Sequence, residues 1–337
     1  MADIHRFQPF RALLLADKLD LLARGGLPTP AIWHVYPTNA CPNDCTFCIM
    51  REEREANRMR LSDEQLLRAV REAQKSGAGC INLEGGGEPL GHPALTRALR
   101  LARELGLRTS LVTNAIPAGY QPELAAQIGA LVDYLRISLN AGDRATYEAI
   151  HRRDHWEAAL AGTKILREHT RGDFGLGFVL VPENADSIMD FVAIAREIGA
   201  DFVHIRPAWW PERDAEVRRA AQIVAEALRG LEIPGLAIYC RTDKMAGKWD
   251  NPHYAKCRAT PTLVCLKANG RFCVCQDRTD LEFGHIDQGF AASWLSAEHL
   301  EAMERIRIEA CPRCVEGMKN ELIEKAFLED GLRRELI

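Results

Sequence analysis

Cys41, Cys45 and Cys48 stand close together in the stretch PTNACPNDCTFCIMR, residues 37–51, in a chain of 337 residues that holds eleven cysteines. Three thiols are an awkward number for disulfides and one ligand short of a closed zinc site. Soft thiolates select iron–sulfur clusters, which four of them normally hold. A four-iron cluster on three cysteines keeps one iron open for a small chelating molecule. A zinc knuckle with a distant fourth ligand is the competing reading.

A second group lies far along the chain. Cys257 is followed by twelve residues, Gly270, four residues and Cys275, and then by the pair Cys311 and Cys314 in CPRC. Four thiolates would close a metal centre, and C-x2-C is equally a signature of structural zinc. Cys265 and Cys273 are surplus to that set: each can pack as a small hydrophobe, replace a ligand or donate a hydrogen atom. Cys80 and Cys240 are expected in the core, with Cys240 a further candidate hydrogen donor. Between the two groups, NLEGGGEPL places Gly86, Gly87 and Glu88 at the end of an apolar run. Glycine lets backbone carbonyls approach a ligand closely, and a carboxylate suits an ammonium group.

The elements that must carry these residues alternate. AIWHVYP (residues 31–37), CINLEGGGE (80–88), RTSLVTNA (108–115), YLRISLN (134–140), GLGFVLVP (175–182) and DFVHIRPAW (201–209) read as strands. Helical patterns separate them, among them LSDEQLLRAVREAQKSG, opened by a capping box of Ser62 and Gln65. Six β/α units over residues 31–231 predict parallel strands with helices outside, an α/β fold of partial (β/α)6 barrel type. Barrels of this kind carry their chemistry at the C-terminal ends of strands, where the cysteine loop, the glycines, Asn114, Asn140 and Arg206 all fall. After residue 241 a polar stretch reads as a linker. TLVCLKANGRFCVCQD then gives two short strands around Asn269-Gly270, a hairpin signal. The expected division is a helical extension over 1–30, a barrel over 31–241, a linker over 242–256, a small cluster-binding hairpin and helix domain over 257–320, and a terminal helix over 321–337.

Composition bounds the reading. Apolar residues make up 47%, charged residues 27%, and the net charge is −4. That balance gives no electrostatic footprint for nucleic acid or an anionic membrane surface. No apolar run reaches the length of a membrane span, and the N-terminal ALLLA run between charges reads as an amphipathic helix rather than a signal peptide. Eleven cysteines in such a chain favour metal or redox chemistry in a reducing cytoplasm over disulfides.

These motifs together resemble the radical S-adenosylmethionine (SAM) superfamily: Cys41, Cys45 and Cys48 in C-x3-C-x-Φ-C spacing, aromatic Phe47 before the third cysteine, and Gly86-Gly87-Glu88-Pro89 after the next strand. The resemblance implies a four-iron cluster on the three cysteines that chelates SAM, with Gly86, Gly87 and Glu88 receiving the methionine amino group. Asn114, Ser138, Asn140 and Arg206 map to the family's SAM-contacting strand ends, though Asn114, Ser138 and Asn140 read equally as polar closures of those ends. Arg206 is open among SAM, substrate and a structural carboxylate. The C-terminal spacing is similar to the family's SPASM/Twitch appendage in its shorter Twitch form, and most resembles dehydrogenases of the 2-deoxy-scyllo-inosamine type. That likeness implies an auxiliary four-iron cluster on Cys257, Cys275, Cys311 and Cys314.

The implied chemistry is reductive cleavage of SAM to a 5′-deoxyadenosyl radical, which takes a hydrogen atom from a small polar substrate of sugar, aminocyclitol or nucleoside type. Dehydrogenation with the auxiliary cluster as electron acceptor is the leading expectation. An epimerase using Cys240, Cys265 or Cys273 and a peptide maturase are the alternatives. A flavodoxin or ferredoxin is the implied reductant. Tyr36, Arg152, Trp209 and Trp210 are candidate substrate contacts, with His151 and Arg153 beside Arg152.

Overall fold

The computed structural model describes residues 14–240, 254, 256–311, 314 and 316–325. The proposed linker lies largely outside the described residues, as do the start of the N-terminal extension and most of the terminal helix.

Ten strands form one open sheet: β1 (Ile32–Val35), β2 (Cys80–Leu83), β3 (Arg108–Thr113), β4 (Tyr134–Ser138), β5 (Asp173–Leu180), β6 (Phe202–Pro207), β7 (Ala237–Cys240), β8 (Leu263–Leu266), β9 (Arg271–Cys273) and β10 (Glu282–His285). Their order is β10-β9-β8-β1-β2-β3-β4-β5-β6-β7. Strands β1 to β7 run parallel, as the alternation predicts, because each crossover carries helix back over the outer face.

The helices cover the sheet through apolar stripes of helical period. Asp63–Lys75 buries Leu66, Ala69, Val70 and Ala73, and its Ser62–Gln65 capping box is formed. Leu95–Glu104 buries Leu95, Ala98, Leu99 and Ala102 in the same spacing. Each fully buried leucine contributes about 1.5–3 kcal/mol. Trp33, Val35, Ile81, Leu83, Leu111, Leu135 and Ile137 are completely buried strand residues of that packed layer.

The opposite strand face has another character. Period two brings His34, Asn82, Ser110, Arg136 and His204 to the inner face, and their side chains bond across strands. Asn82 lies 3.3 Å from His34 Nδ1, Ser110 donates to Asn82 at 2.7 Å, and Arg136 reaches His204 Nδ1 at 3.0 Å. The inside of this partial barrel is a polar layer.

Three features depart from expectation. A seventh parallel strand, β7, extends the sheet beyond β6. The Asn269-Gly270 hairpin forms, with Gly270 at φ +82°, but β8 joins β1 in parallel register, so the C-terminal strands continue the barrel sheet. Strand β10 had no sequence signal because a register shift between Phe283 and His285 interrupts it and Gly284 sits at φ +48°.

Candidate active site

A cavity of about 290 Å³ opens at the C-terminal ends of the strands. Its wall takes Tyr36 just past β1, Glu84 just past β2, Val112 from β3, Arg136 and Ser138 from β4, Val179 from β5 and Arg206 from β6. Cys41, Cys45 and Cys48 border the same space, with Phe47 between them in sequence.

Backbone bonds bring the cysteine loop back to β1. Asn39 N donates to Met59 O at 2.9 Å and Leu61 N to Pro37 O at 2.9 Å. Arg54 locks the interior of the loop: its guanidinium donates to Asn39 O at 3.2 Å, Asn43 O at 2.9 Å and Cys48 Sγ at 3.4 Å. Asn114 Nδ2 donates toward Cys41 Sγ at 3.6 Å, and His151 Nδ1 lies 3.0 Å from Cys45 Sγ. Since His151 Nε2 donates to Leu139 O at 3.1 Å, the neutral ring presents Nδ1 as an acceptor. Burial holds that ring down at about 4 and pushes the Cys41 thiol up to about 11, the nearby Glu88 adding to the latter. Burial, with Cys41 and Cys48 beside it, also drives the Cys45 thiol far above its ordinary range.

The donor set fits an iron–sulfur cluster. Among the described residues no three His, Cys, Asp or Glu side chains converge as a single ion requires. A cluster instead seats each thiolate on a different iron, and N–H donors such as Arg54 and Asn114 are what its sulfurs accept.

The glycine turn is built for close approach. A Cβ on Gly87 would stand 2.0 Å from Ala40 O, and Gly86 holds φ +61° with Thr38 O only 3.0 Å from where its Cβ would be. Only glycine lets this turn lie on the cysteine loop. Glu88 is 3% exposed, and its carboxylate is already engaged. It accepts from Leu90 N at 2.9 Å, Thr113 Oγ1 at 2.5 Å and Asn114 N at 2.8 Å. Burial raises it to about 7. Through these bonds Glu88 ties the end of β2 to the end of β3, and it also borders the cavity.

Other expected positions separate. Asn140 is 1% exposed and stitches β4 to β5, donating to Ser138 O at 3.1 Å and accepting from Val179 N at 2.9 Å. Asn114 turns toward a thiol and Ser138 faces the cavity. Trp209, 44% exposed, stands at the cavity, whereas Trp210 packs under the Arg213 guanidinium at 4.5 Å and does not border it. Arg152 caps a helix at φ +54° and faces Asp44 at 3.9 Å, outside the cavity wall. Cys240, Cys265 and Cys273 do not border the cavity either. Cys265 and Cys273 face each other across β8 and β9, completely buried with Tyr36 and Met50. Cys80 is half-buried at the start of β2.

Sequence reasoning missed Arg54, Glu84, His34, Arg136, Gln276 and Asp277. Glu84 bonds His34 Nδ1 at 2.5 Å, and the positive groups His34, Arg136 and Arg206 hold its carboxyl below the usual range against the opposing effect of burial. Period two gives a signal for several of them: Glu84 stands two residues before Gly86, and Arg136 two before Ser138.

Cys257, Cys275, Cys311 and Cys314 all border a second cavity of about 20 Å³. Asn320 Nδ2 donates toward Cys257 Sγ at 3.7 Å and Asp277 N toward Cys275 Sγ at 3.4 Å. Burial raises the Cys314 thiol to about 12, with a bond to the Tyr254 hydroxyl working the other way. Asp277 borders both cavities, and Gln276 borders the larger.

No helix among the described residues is long and apolar enough to cross a membrane. Over 205 residues the chain is 27% identical to the PqqA peptide cyclase of Gluconobacter oxydans, spanning 57% of this chain and 57% of that protein. Over 170 residues it is 29% identical to the probable GTP 3′,8-cyclase of Saccharolobus solfataricus, spanning 50% of this chain and 54% of that protein. The chain therefore spans little more than half the length of these relatives. The structure of Streptococcus suis SuiB bound to S-adenosylmethionine is similar at a TM-score of 0.64 and 18% identity, over 89% of this chain and 72% of that chain, which marks a shared fold. The sequence of residues 35–195, the segment that carries the three-thiol loop and the glycine turn, matches the Radical SAM superfamily.

Proposed function

We propose that the chain is a radical SAM enzyme that oxidises a small polar substrate, of sugar, aminocyclitol or nucleoside type, by two electrons. The observation that carries this reading is the shared wall: Asp277, two residues after Cys275, borders both the larger cavity and the four-thiol site. Asp277 would then stand between a substrate held in the first space and an electron acceptor held in the second. In this reading the second site is a Twitch-type auxiliary centre.

When bound, SAM and its cluster on Cys41, Cys45 and Cys48 supply a 5′-deoxyadenosyl radical, and a cluster on Cys257, Cys275, Cys311 and Cys314 supplies an electron sink. The chain's own residues do the rest. Gly86 and Gly87 offer backbone carbonyls to the methionine ammonium. Arg54 and Asn114 hold the thiols and balance their charge. Ser138 and Trp209 face the substrate side, where the Asp277 and Glu84 carboxylates also border the cavity. Tyr36 closes the cavity against the buried Cys265 and Cys273. A flavodoxin or ferredoxin is the expected source of the first electron.

A peptide substrate is the second reading, favoured by the likeness to a PqqA peptide cyclase. Ring closure within a peptide also removes two hydrogens, so the same electron sink serves it. The epimerase alternative loses its support, since Cys240, Cys265 and Cys273 do not border the cavity.

The test is anaerobic reconstitution followed by SAM and dithionite, with 5′-deoxyadenosine, iron and inorganic sulfide measured. Offered sugars, aminocyclitols, nucleosides and peptides are then screened for products two hydrogens lighter. A product of unchanged mass carrying solvent deuterium would replace oxidation by epimerisation. Zinc without sulfide would remove the whole reading.

A further inference from the structure

The inner face of β4 to β6 carries a charge arrangement that radical generation does not use. β5 offers glycines there: Gly177 pairs with Ser138 on one side and His204 on the other. With no side chain in the way, Arg136 lies across this floor, its Cδ 3.5 Å from where a Gly177 Cβ would stand, and reaches His204 Nδ1 at 3.0 Å. This brings Arg136 toward Arg206 on β6. Both guanidiniums border the cavity.

The Arg206 side chain makes no hydrogen bond and no ion pair among the described residues, only charge interactions. Burial and the like charge of Arg136 hold it down at about 10, with Asp277, Glu84 and Tyr36 acting in the opposite sense. The acidic neighbours do not pair with it: Glu84 is bonded to His34 at 2.5 Å, and Asp277 stands in the wall toward the second site. A guanidinium without a partner in such a space is costly until an anion arrives. A planar fork of N–H donors selects carboxylate or phosphate.

Arg206 and Asp277 border the same cavity, and Asp277 also borders the four-thiol site, the side on which the proposed reading places the substrate.

We propose that Arg206, with Arg136 beside it, is the receptor for an oxyanion carried by the substrate. The inference rests on the reading of this cavity as a radical SAM site. It narrows the small polar substrate to an acidic one: a sugar acid, a sugar phosphate, a nucleotide or a peptide carboxylate. The methionyl carboxylate of SAM is the other source of the same chemistry.

The experiment uses the anaerobically reconstituted chain with inorganic phosphate and acetate as probes, binding being measured by equilibrium dialysis with and without SAM. The variants are Arg206→Gln and the conservative Arg206→Lys, each checked by circular dichroism and thermal melting. At least one probe is expected to bind the wild type alongside SAM. Arg206→Gln should weaken that binding by about 10-fold or more, the worth of a charge-assisted bond, and Arg206→Lys should restore part of it. SAM affinity should stay within about 3-fold, well under the 1.4 kcal/mol of a tenfold change. Three results overturn the proposal: no binding of either probe, probe binding unchanged in Arg206→Gln, or competition between probe and SAM with both weakened together. The last would assign the receptor to the methionyl carboxylate. A wild type that cleaves SAM yet binds neither probe sinks only the receptor, whereas one that never cleaves SAM sinks the parent reading.

Discussion

The two cysteine sites share ligand chemistry and differ in enclosure. Three thiols at the end of β1 border a space of about 290 Å³, whereas four thiols beyond β8 surround about 20 Å³. In both, neighbouring N–H groups point at sulfur: Arg54 and Asn114 in the first, Asn320 and the Asp277 amide in the second. The count of thiols thus decides the function. A missing fourth ligand leaves an open iron and requires room for a ligand, while a complete set leaves nothing to coordinate and needs no room. In the proposed reading one site would bind a reactant and the other would only exchange electrons.

Breaking the open site should have the largest effect. Replacing Cys41, Cys45 and Cys48 together by alanine should abolish 5′-deoxyadenosine formation and lower bound iron by about half, since the proposed reading has two four-iron clusters and one would be lost. Iron analysis and chromatography of SAM products check both. Retained cleavage would mean that the comparison has assigned the wrong site to SAM.

Breaking the closed site should separate two activities. With Cys257 and Cys275 both changed to alanine, SAM cleavage should remain within a few-fold while the oxidised product falls about 100-fold or more, because the electron has no sink. Equal loss of both would make the second site a structural support. The barrel sheet would then need it for folding rather than for electron transfer.

What could be read in advance follows the same division. The two thiol sets, the glycine turn and the β/α alternation are local patterns, and the alternation reappears as the parallel strands β1 to β7. Glu84, His34 and Arg136 were not legible because they do their work across strands, through register. In sequence they look like stray polar residues in apolar runs, and the parallel pairing of β1, β2 and β4 to β6 brings Glu84 and Arg136 to one cavity. Arg54 depends on the return path of the cysteine loop, which no spacing encodes. Arg152 and Trp210 lie close in sequence to site elements but do not border the cavity: Arg152 is a left-handed helix cap, and Arg213 covers Trp210.

The frame that holds the open site can be sharpened through Glu88. Glu88→Gln replaces one acceptor oxygen by an amide group that meets the Asn114 or Leu90 N–H, or the Thr113 hydroxyl, with no lone pair. The cost expected for a buried mismatch is about 1–3 kcal/mol, seen as a lower melting temperature, with weaker SAM binding as the β2 and β3 ends separate. Tighter SAM binding in this variant would show that Glu88 restrains the site rather than frames it.

The smallest effect tests whether the ground between the two sites is inert. Cys273 is completely buried, faces Cys265 across the hairpin, and packs with Tyr36 and Met50, against which the Cys48 ligand also rests. Its thiol donates toward Cys275 O at 3.6 Å. A thiol with no path to the cavity cannot hand a hydrogen atom to a substrate held there, since that transfer needs near contact. Cys273→Ala should therefore cost about 1–2 kcal/mol of stability through the small void it leaves, and little else. The ratio of product to 5′-deoxyadenosine should not move. If the variant instead kept cleaving SAM while its product yield collapsed, the buried thiol would be a reactant. The separation between a site that binds and a site that only takes electrons would then fail at the residue lying between them.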